Sequence, residues 1–320
     1  MKNIVVWDLG ATKCAAALVT YNSYNKEFLC QRSCAIKLRS LISLEELVYK
    51  IEEKLDHKHK DSYAVCIGAA GIYDGKLLKL DKAYPYEMAF EAVAQKFKWP
   101  RCEIIHDYAL ILGATFLSDI RTKNLNDYVG DIFGRRVAFG VGTGLGLKDG
   151  VLLRNGDFWM GTNEFGHIGL AQSLRAPKEL VDIHQGLTSQ EALSFEDLLS
   201  GSGMLKIHKF LYAHTSIKTP EELGELVRSG GALDTLSLFA FYLGLFTSTL
   251  QLALMPTGGI WIAGGVVLNH LEVFDCPEFR HGINALPAYL SERSVMPLRV
   301  LIDPNAAFMG GAWYAVKRLC

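Results

Sequence analysis

Short apolar runs of strand length alternate along this chain with longer stretches of helical spacing. Ile4-Val5-Val6-Trp7 breaks at Asp8-Leu9-Gly10-Ala11-Thr12-Lys13 and resumes as Cys14-Ala15-Ala16-Ala17-Leu18, which predicts strand, tight small-residue turn, strand. Arg136-Val137-Ala138-Phe139 followed by Gly140-Val141-Gly142-Thr143-Gly144-Leu145-Gly146-Leu147 repeats that arrangement, with Asp149-Gly150 read as the next turn. Gly258-Gly259-Ile260-Trp261-Ile262-Ala263-Gly264-Gly265 is a third buried strand, bracketed by glycine pairs. Around these the pattern predicts a first group with strands near 3–8, 13–20, 27–34, 63–67, 76–80 and 102–105 and helices near 43–56, 87–96 and 107–118. A second group has strands near 136–141, 144–149 and 259–263 and helices near 175–184, 201–213, 219–228 and 236–255. The polar stretch 118–135 reads as an excursion between the groups, and 304–319 as a helix containing Gly310-Gly311.

Leu236 to Met255 carries no charge and has the length of a membrane span. Ser237, Gly244, Thr247, Ser248, Thr249 and Gln251 dilute it, however, and no Lys/Arg cluster flanks it, so a long core helix ended by Pro256 is expected. Asp8 interrupts the first apolar run too early for a secretory signal. A length of 320 residues, half of them hydrophobic, points to about two domains. A formal charge of −1 without blocks of like charge argues against a nucleic-acid footprint and for small-molecule partners. The seven cysteines include no C-x-x-C pair and read as reduced thiols of a reducing cytosol. His57-Lys58-His59-Lys60 reads as a solvated helix end, so no metal site is expected from Cys30, Cys34, His57 and His59.

Small residues at 10 to 12 let backbone N–H groups approach a phosphate, Thr12 adds a hydroxyl donor, and Asp8 stands where it could hold a hydrated Mg²⁺. A β-hairpin also needs small turn residues, so the first turn alone leaves both readings open. The second turn, Gly142-Thr143-Gly144, shifts the balance toward phosphate. Neither turn is a Walker loop, since no glycine directly precedes a Lys-Ser/Thr pair, and neither fits G-x-G-x-x-G opening a helix. Asp107 follows the strand Glu103-Ile104-Ile105 and precedes a helix, which suits either an N-cap or a carboxylate that accepts a hydroxyl proton.

Asp8 to Thr12, Phe139 to Gly146 and Ile260 to Val266 resemble the two phosphate motifs and the adenosine motif of the sugar kinase, actin and heat-shock ATPase superfamily. Within it the chain most resembles the bacterial glucokinase family, because His106-Asp107-Tyr108-Ala109, Glu164-Phe165-Gly166-His167 and Phe195-Glu196-Asp197-Leu198-Leu199-Ser200-Gly201-Ser202-Gly203 follow in that family's order. The resemblance covers nearly the whole length. It implies an α/β fold of two ribonuclease-H-like (actin-like ATPase) lobes with an interdomain cleft, 1–109 plus 304–320 forming the small lobe and 110–303 the large one. The implied activity is ATP-dependent phosphorylation of a hexose at its 6-hydroxyl, most simply glucose, with ATP and Mg²⁺. Carried over residue by residue, Asp107 is the base, and His106, Glu164, His167 and Glu196 contact the sugar. Asp8, Gly10, Ala11, Thr12, Lys13, Gly142, Thr143, Gly144, Gly264 and Gly265 hold the nucleotide, and Asp8 also the metal. A cytoplasmic homodimer of glycolysis, without nucleic-acid or membrane partners, completes the expectation.

Several positions depart from the family pattern. His106 stands where most relatives have Asn, and Ala11 and Lys13 replace a glycine and an Asn of the first turn. Asp81-Lys82-Ala83-Tyr84 replaces an Asn-x-x-Trp segment, and Gly68-Ala69-Ala70-Gly71 lacks the usual proline. Residues 168 to 190 hold no cysteine, so the structural zinc of the related ROK kinases is not expected. These departures leave open another hexose or amino sugar as substrate, or a sugar-sensing protein with weakened catalysis. A sensor of the ROK repressor kind would need a DNA-binding helix-turn-helix, for which no room is expected ahead of the strand at residue 3.

Overall fold

The computed structural model describes residues 1–10, 12–73, 77–80, 88–170 and 193–319. The chain divides into two compact units, Met1–Arg121 with Asp303–Cys320, and Thr122–Ile302. A division at 109/110 would cut the helix Asp107–Ala114, which packs against the C-terminal helix Ala306–Leu319 and so stays in the first unit.

The strands of the first unit are β1 (Lys2–Leu9), β2 (Lys13–Asn22), β3 (Glu27–Lys37), β4 (Ala64–Ala69), β5 (Gly71–Tyr73), β6 (Leu77–Leu80), β7 (Met88–Ala89) and β8 (Cys102–His106). Among the described residues they form a sheet ordered β3-β2-β1-β4-β8 and a small one ordered β5-β6-β7. In the larger sheet β1 runs parallel to β4, and β4 to β8, while β1-β2 and β2-β3 are antiparallel. β1 is apolar from Ile4 to Trp7 because both its faces are covered there. Val5, Trp7 and Leu9 pack with Leu47, Val48 and Ile51 of the amphipathic helix Leu44–Leu55. On the other face a Cβ at Gly311 of the C-terminal helix would overlap Val6. Ser43 starts the helix Leu44–Leu55 by accepting from the Glu46 N–H at 3.1 Å.

In the second unit the strands are β9 (Thr122–Asn124), β10 (Arg136–Val141), β11 (Leu145–Leu152), β12 (Phe158–Met160), β13 (Gly259–Ala263) and β14 (Leu298–Leu301). Their order is β12-β11-β10-β13-β14-β9. Leaving β9 aside, this is the order and sense of the first sheet: two successive antiparallel pairings on one side of the first strand and two parallel pairings on the other. The two ribonuclease-H-like halves, invisible as a sequence repeat, are plain in this topology.

The charge-free stretch forms the helix Leu233–Leu254. By length and apolarity it could cross a membrane, but 72% of its apolar window is buried within the protein. Phe246 packs edge-on against Phe139 of β10, with ring centroids 5.2 Å apart. The glycine that dilutes this helix has a packing role, since a Cβ at Gly244 would strike the Phe279 carbonyl of the helix Pro277–Asn284, and one at Gly282 of that helix the Phe241 carbonyl. These two helices therefore cross backbone to backbone.

Several expectations need correction. Asp149-Gly150 is not a turn but lies inside β11, which runs on to Leu152 because β12 pairs with it. His59 is not solvated: it is fully buried, accepting from Trp7 Nε1 at 3.1 Å and facing Glu52 through Nδ1 at 3.1 Å. The helix expected at 107–118 stops at Ala114, the one at 87–96 begins at Phe90, and 118–135 contributes the edge strand β9. The helix expected at 175–184 lies outside the described residues.

Candidate active site

In the first unit the candidates gather where the parallel strands end, the edge at which open α/β sheets bind ligands. Asp8 of β1, Gly68 of β4 and Ile105 of β8 are lateral partners, so the β1–β2 turn, the end of β4 and His106-Asp107 share that edge. The Gly10 N–H donates to the Lys13 carbonyl at 3.0 Å and closes the turn, leaving Thr12 and Lys13 exposed. Ala11 lies outside the described residues, as does Tyr84. Burial pushes the Asp8 carboxyl up to about 6; the negative charge of Asp107 pushes the same way and Lys13 opposes. Asp8 and Asp107 are therefore electrostatic neighbours, and a cation between their charges would be welcome.

The local geometry bears on the question left open about Asp107. His106 occupies the N-cap position and Asp107 is the first helical residue. His106 Nδ1 lies 2.8 Å from Asp107 Oδ1, and the Tyr108 N–H is 2.8 Å from that same oxygen and 3.2 Å from Nδ1. The Tyr108 N–H is thus shared between the Asp107 carboxylate and the His106 ring, both of which accept from it at the helix start. Oδ1 takes the Tyr108 N–H, and among the described residues Oδ2 has no hydrogen-bond partner.

In the second unit the turn between β10 and β11 is closed by the Gly142 N–H on the Gly144 carbonyl at 2.9 Å. The helix Gly201–Leu211 starts beside it, with the Gly201 N–H donating to the Gly142 carbonyl at 2.9 Å and Ser200 as the cap. A helix N-terminus next to a glycine turn favours an anion. Nothing lies within 4 Å of a Cβ built on Gly142 or Gly265, and Thr143 is exposed, so a ligand can approach all three. Gly264 has φ +97° and its Cβ would overlap Val141, so no side chain can replace its hydrogen at the end of β13.

The sugar candidates of this unit converge on the same turn. Ser194 and Asp197 form a capping box that opens the short helix Phe195–Leu198 and so fixes Glu196 in its first turn. Glu196 Oε2 accepts the Leu145 N–H at 2.8 Å, and a Cβ on Gly144 would stand 2.6 Å from that oxygen. Glu196 is thus more than a first-turn acid, because it joins the glycine turn. His167 Nδ1 lies 3.9 Å from Glu196 Oε1, and a single helical turn sends the His167 N–H to the Glu164 carbonyl at 3.0 Å. Glu164 Oε1 is 3.9 Å from Lys148 Nζ.

Lys148, Asp149 and Asn163 were missed by the sequence reading. The signal was a charged pair continuing an apolar strand toward Val151-Leu152. Among the described residues no group of three His, Cys, Asp or Glu side chains forms a metal cluster.

The chain is 28% identical over 221 residues to the glucokinase of Rhizobium etli (strain CIAT 652), a match spanning 66% of the chain and 64% of that protein, just under two thirds of its length. With the glucokinase of Saccharophagus degradans it is 26% identical over 323 residues, 96% of each. A glucokinase structure from an Antarctic psychrotroph superposes with a TM-score of 0.83 at 20% identity, covering 98% of both chains. The fold is that of the actin-like ATPases. Since the family model for glucokinase matches residues 5–318, almost the entire length, this chain belongs to the glucokinase family.

Proposed function

We propose that the protein transfers the γ-phosphoryl group of ATP to the 6-hydroxyl of glucose, with Asp107 as general base. The observation that carries this reading is the Asp107 carboxylate at the end of β8, one oxygen tied by the Tyr108 N–H beside His106 and the other open. Phosphoryl transfer asks the protein chiefly for positioning and charge stabilisation, with a carboxylate to take the hydroxyl proton. In this reading Asp107 Oδ2 takes that proton as the sugar oxygen attacks, and the Tyr108 N–H keeps the carboxylate from rotating. Glu164, His167 and Glu196 bind sugar hydroxyls, two carboxylates and an imidazole supplying acceptors and a donor. The turns at 10–13 and 142–144 bind the phosphates through backbone N–H groups and Lys13, and Gly264-Gly265 lies against the nucleoside.

Asp8 fits a divalent cation, since its carboxyl is pushed up to about 6 by burial and by Asp107 with Lys13 opposing. Mg²⁺ bound there would neutralise phosphate charge and orient the phosphates. The homodimer, the cytoplasmic location and the place in glycolysis rest on the family resemblance. Free thiols at the described cysteines suit a reducing compartment.

The test is a coupled assay of purified protein with ATP and Mg²⁺ over glucose, mannose, fructose and glucosamine, for the wild type and His106→Asn. We expect glucose to give the highest kcat/KM and the substitution to redistribute the values, because it exchanges an imidazole for an amide beside the base. An enzyme that prefers another hexose changes the substrate. One inert toward all four overturns the reading.

A further inference from the structure

We infer that Lys148 and Asp149 of β11 are positioning residues for the sugar site, holding Glu164 in place through Asn163; this rests on the proposed role of Glu164 as a sugar contact. Burying a neighbouring cation and anion in a strand is costly unless each is well satisfied. Here Lys148 is 4% exposed and Asp149 3%, and both converge on Asn163. Lys148 Nζ donates to the Asn163 carbonyl at 3.0 Å, and the Asn163 side-chain amide donates to Asp149 Oδ1 at 2.7 Å. Successive side chains leave a strand on opposite faces, so Asn163 is held from two sides. Arg135 Nε, 3.6 Å from Asp149 Oδ2, balances the carboxylate.

Past Met160 the chain leaves β12 and has no strand partner until the helical turn Phe165–His167. Its anchors in that interval lead back to the same pair, for the Gly161 N–H also donates to the Asp149 carbonyl at 2.9 Å. Gly161 has no side chain to spare, since a Cβ there would overlap the Asp149 carboxylate. The Asn163 amide orientation is set by that carboxylate, at the expense of Oδ1, which is buried with no hydrogen-bond partner. Glu164 itself is 65% exposed at its side chain. Lys148 Nζ lies 3.9 Å from its Oε1 as well as on the Asn163 carbonyl, so the lysine meets both the carboxylate and the backbone that carries it.

The experiment exchanges the pair. Asn163→Asp sets two carboxylates against each other, whereas Asp149→Asn combined with Asn163→Asp restores a hydrogen bond of opposite sense with unchanged total charge. We expect the single variant to raise the glucose KM on the order of tenfold with the ATP KM within about twofold, and the double variant to recover most of the loss. Gly161→Ala, which displaces the carboxylate without touching charge, should reproduce the rise. Either of two results overturns the inference: a lower melting temperature with an unchanged glucose KM in Asn163→Asp, or a double variant no better than the single. Glu164→Gln is measured alongside; if it leaves the glucose KM unchanged, the sugar-contact role of Glu164 has failed and takes the inference with it. If Glu164→Gln raises the KM and Asn163→Asp does not, only the positioning role falls.

Discussion

In the proposed reading the chemistry turns on Asp107, and the N-cap position beside it is held by His106. Asp107→Asn keeps the size, and its Oδ1 can still accept the Tyr108 N–H, so the helix start survives. What the amide loses is the ability to take a proton. We expect kcat to fall roughly 10² to 10⁴-fold while sugar and ATP binding change by a modest factor. Steady-state kinetics with calorimetric binding of both ligands checks this, and a near-wild-type kcat would remove the base assignment. At this scale the sequence is informative where chemistry is local. Asp8, Gly10 and Asp107 sit at strand ends that a short window reveals. His59 and Asp149 misled because their partners, Trp7 and Asn163, are distant in sequence or lie on another element.

The glycines show how elements hold the site. The Asp107 helix and the C-terminal helix touch backbone to backbone, for a Cβ on Gly113 would strike the Gly310 carbonyl and one on Gly310 the Leu110 carbonyl. Gly310-Gly311 was legible as a glycine pair inside a helix, but its purpose was not, since it depends on a helix some two hundred residues earlier. Gly310→Val forces these helices apart. Overpacking of this kind costs about 1–3 kcal/mol, and the displaced helix carries the proposed base. We expect a lower urea midpoint together with a fall in kcat that exceeds the change in glucose KM. Retained kcat in a destabilised variant would show that the helix keeps Asp107 in place without this contact. Other elements escaped the sequence reading because they are short: β12 and β14 are three and four residues long and acquire strand form only by pairing with β11 and β13.

Across the whole molecule the same sheet topology occurs twice, yet the buried polar clusters beneath the sheets differ, and the one in the first unit makes stability depend on pH. The Trp7 indole donates to His59 Nε2, so that nitrogen carries no hydrogen; His59 is neutral and donates from Nδ1 to Glu52. Burial holds the His59 pKa below its ordinary 6.5, with Glu52 opposing. Burial would raise Glu52, but hydrogen bonds from the His59 side chain and backbone and from Lys58 outweigh it and hold the carboxyl at about 2. Both groups are depressed in the fold, so each adds stability above its unfolded pKa, near 6.5 and 4.5, and loses it as pH falls through the folded value. Asp8 runs the other way, stabilising below 3.8 and losing that contribution as pH rises through about 6. The wild-type slope therefore mixes opposing terms, and comparison with a variant isolates His59. His59→Gln cannot take up a proton at acid pH, so it should lower the urea midpoint at pH 8 through the lost contacts, yet lose less than the wild type between pH 6.5 and 5. Near-ultraviolet circular dichroism follows the transition, since Trp7 and Trp99 both pack on the His59 ring. Parallel midpoints in the two proteins over that interval would mean that His59 takes up no proton on unfolding.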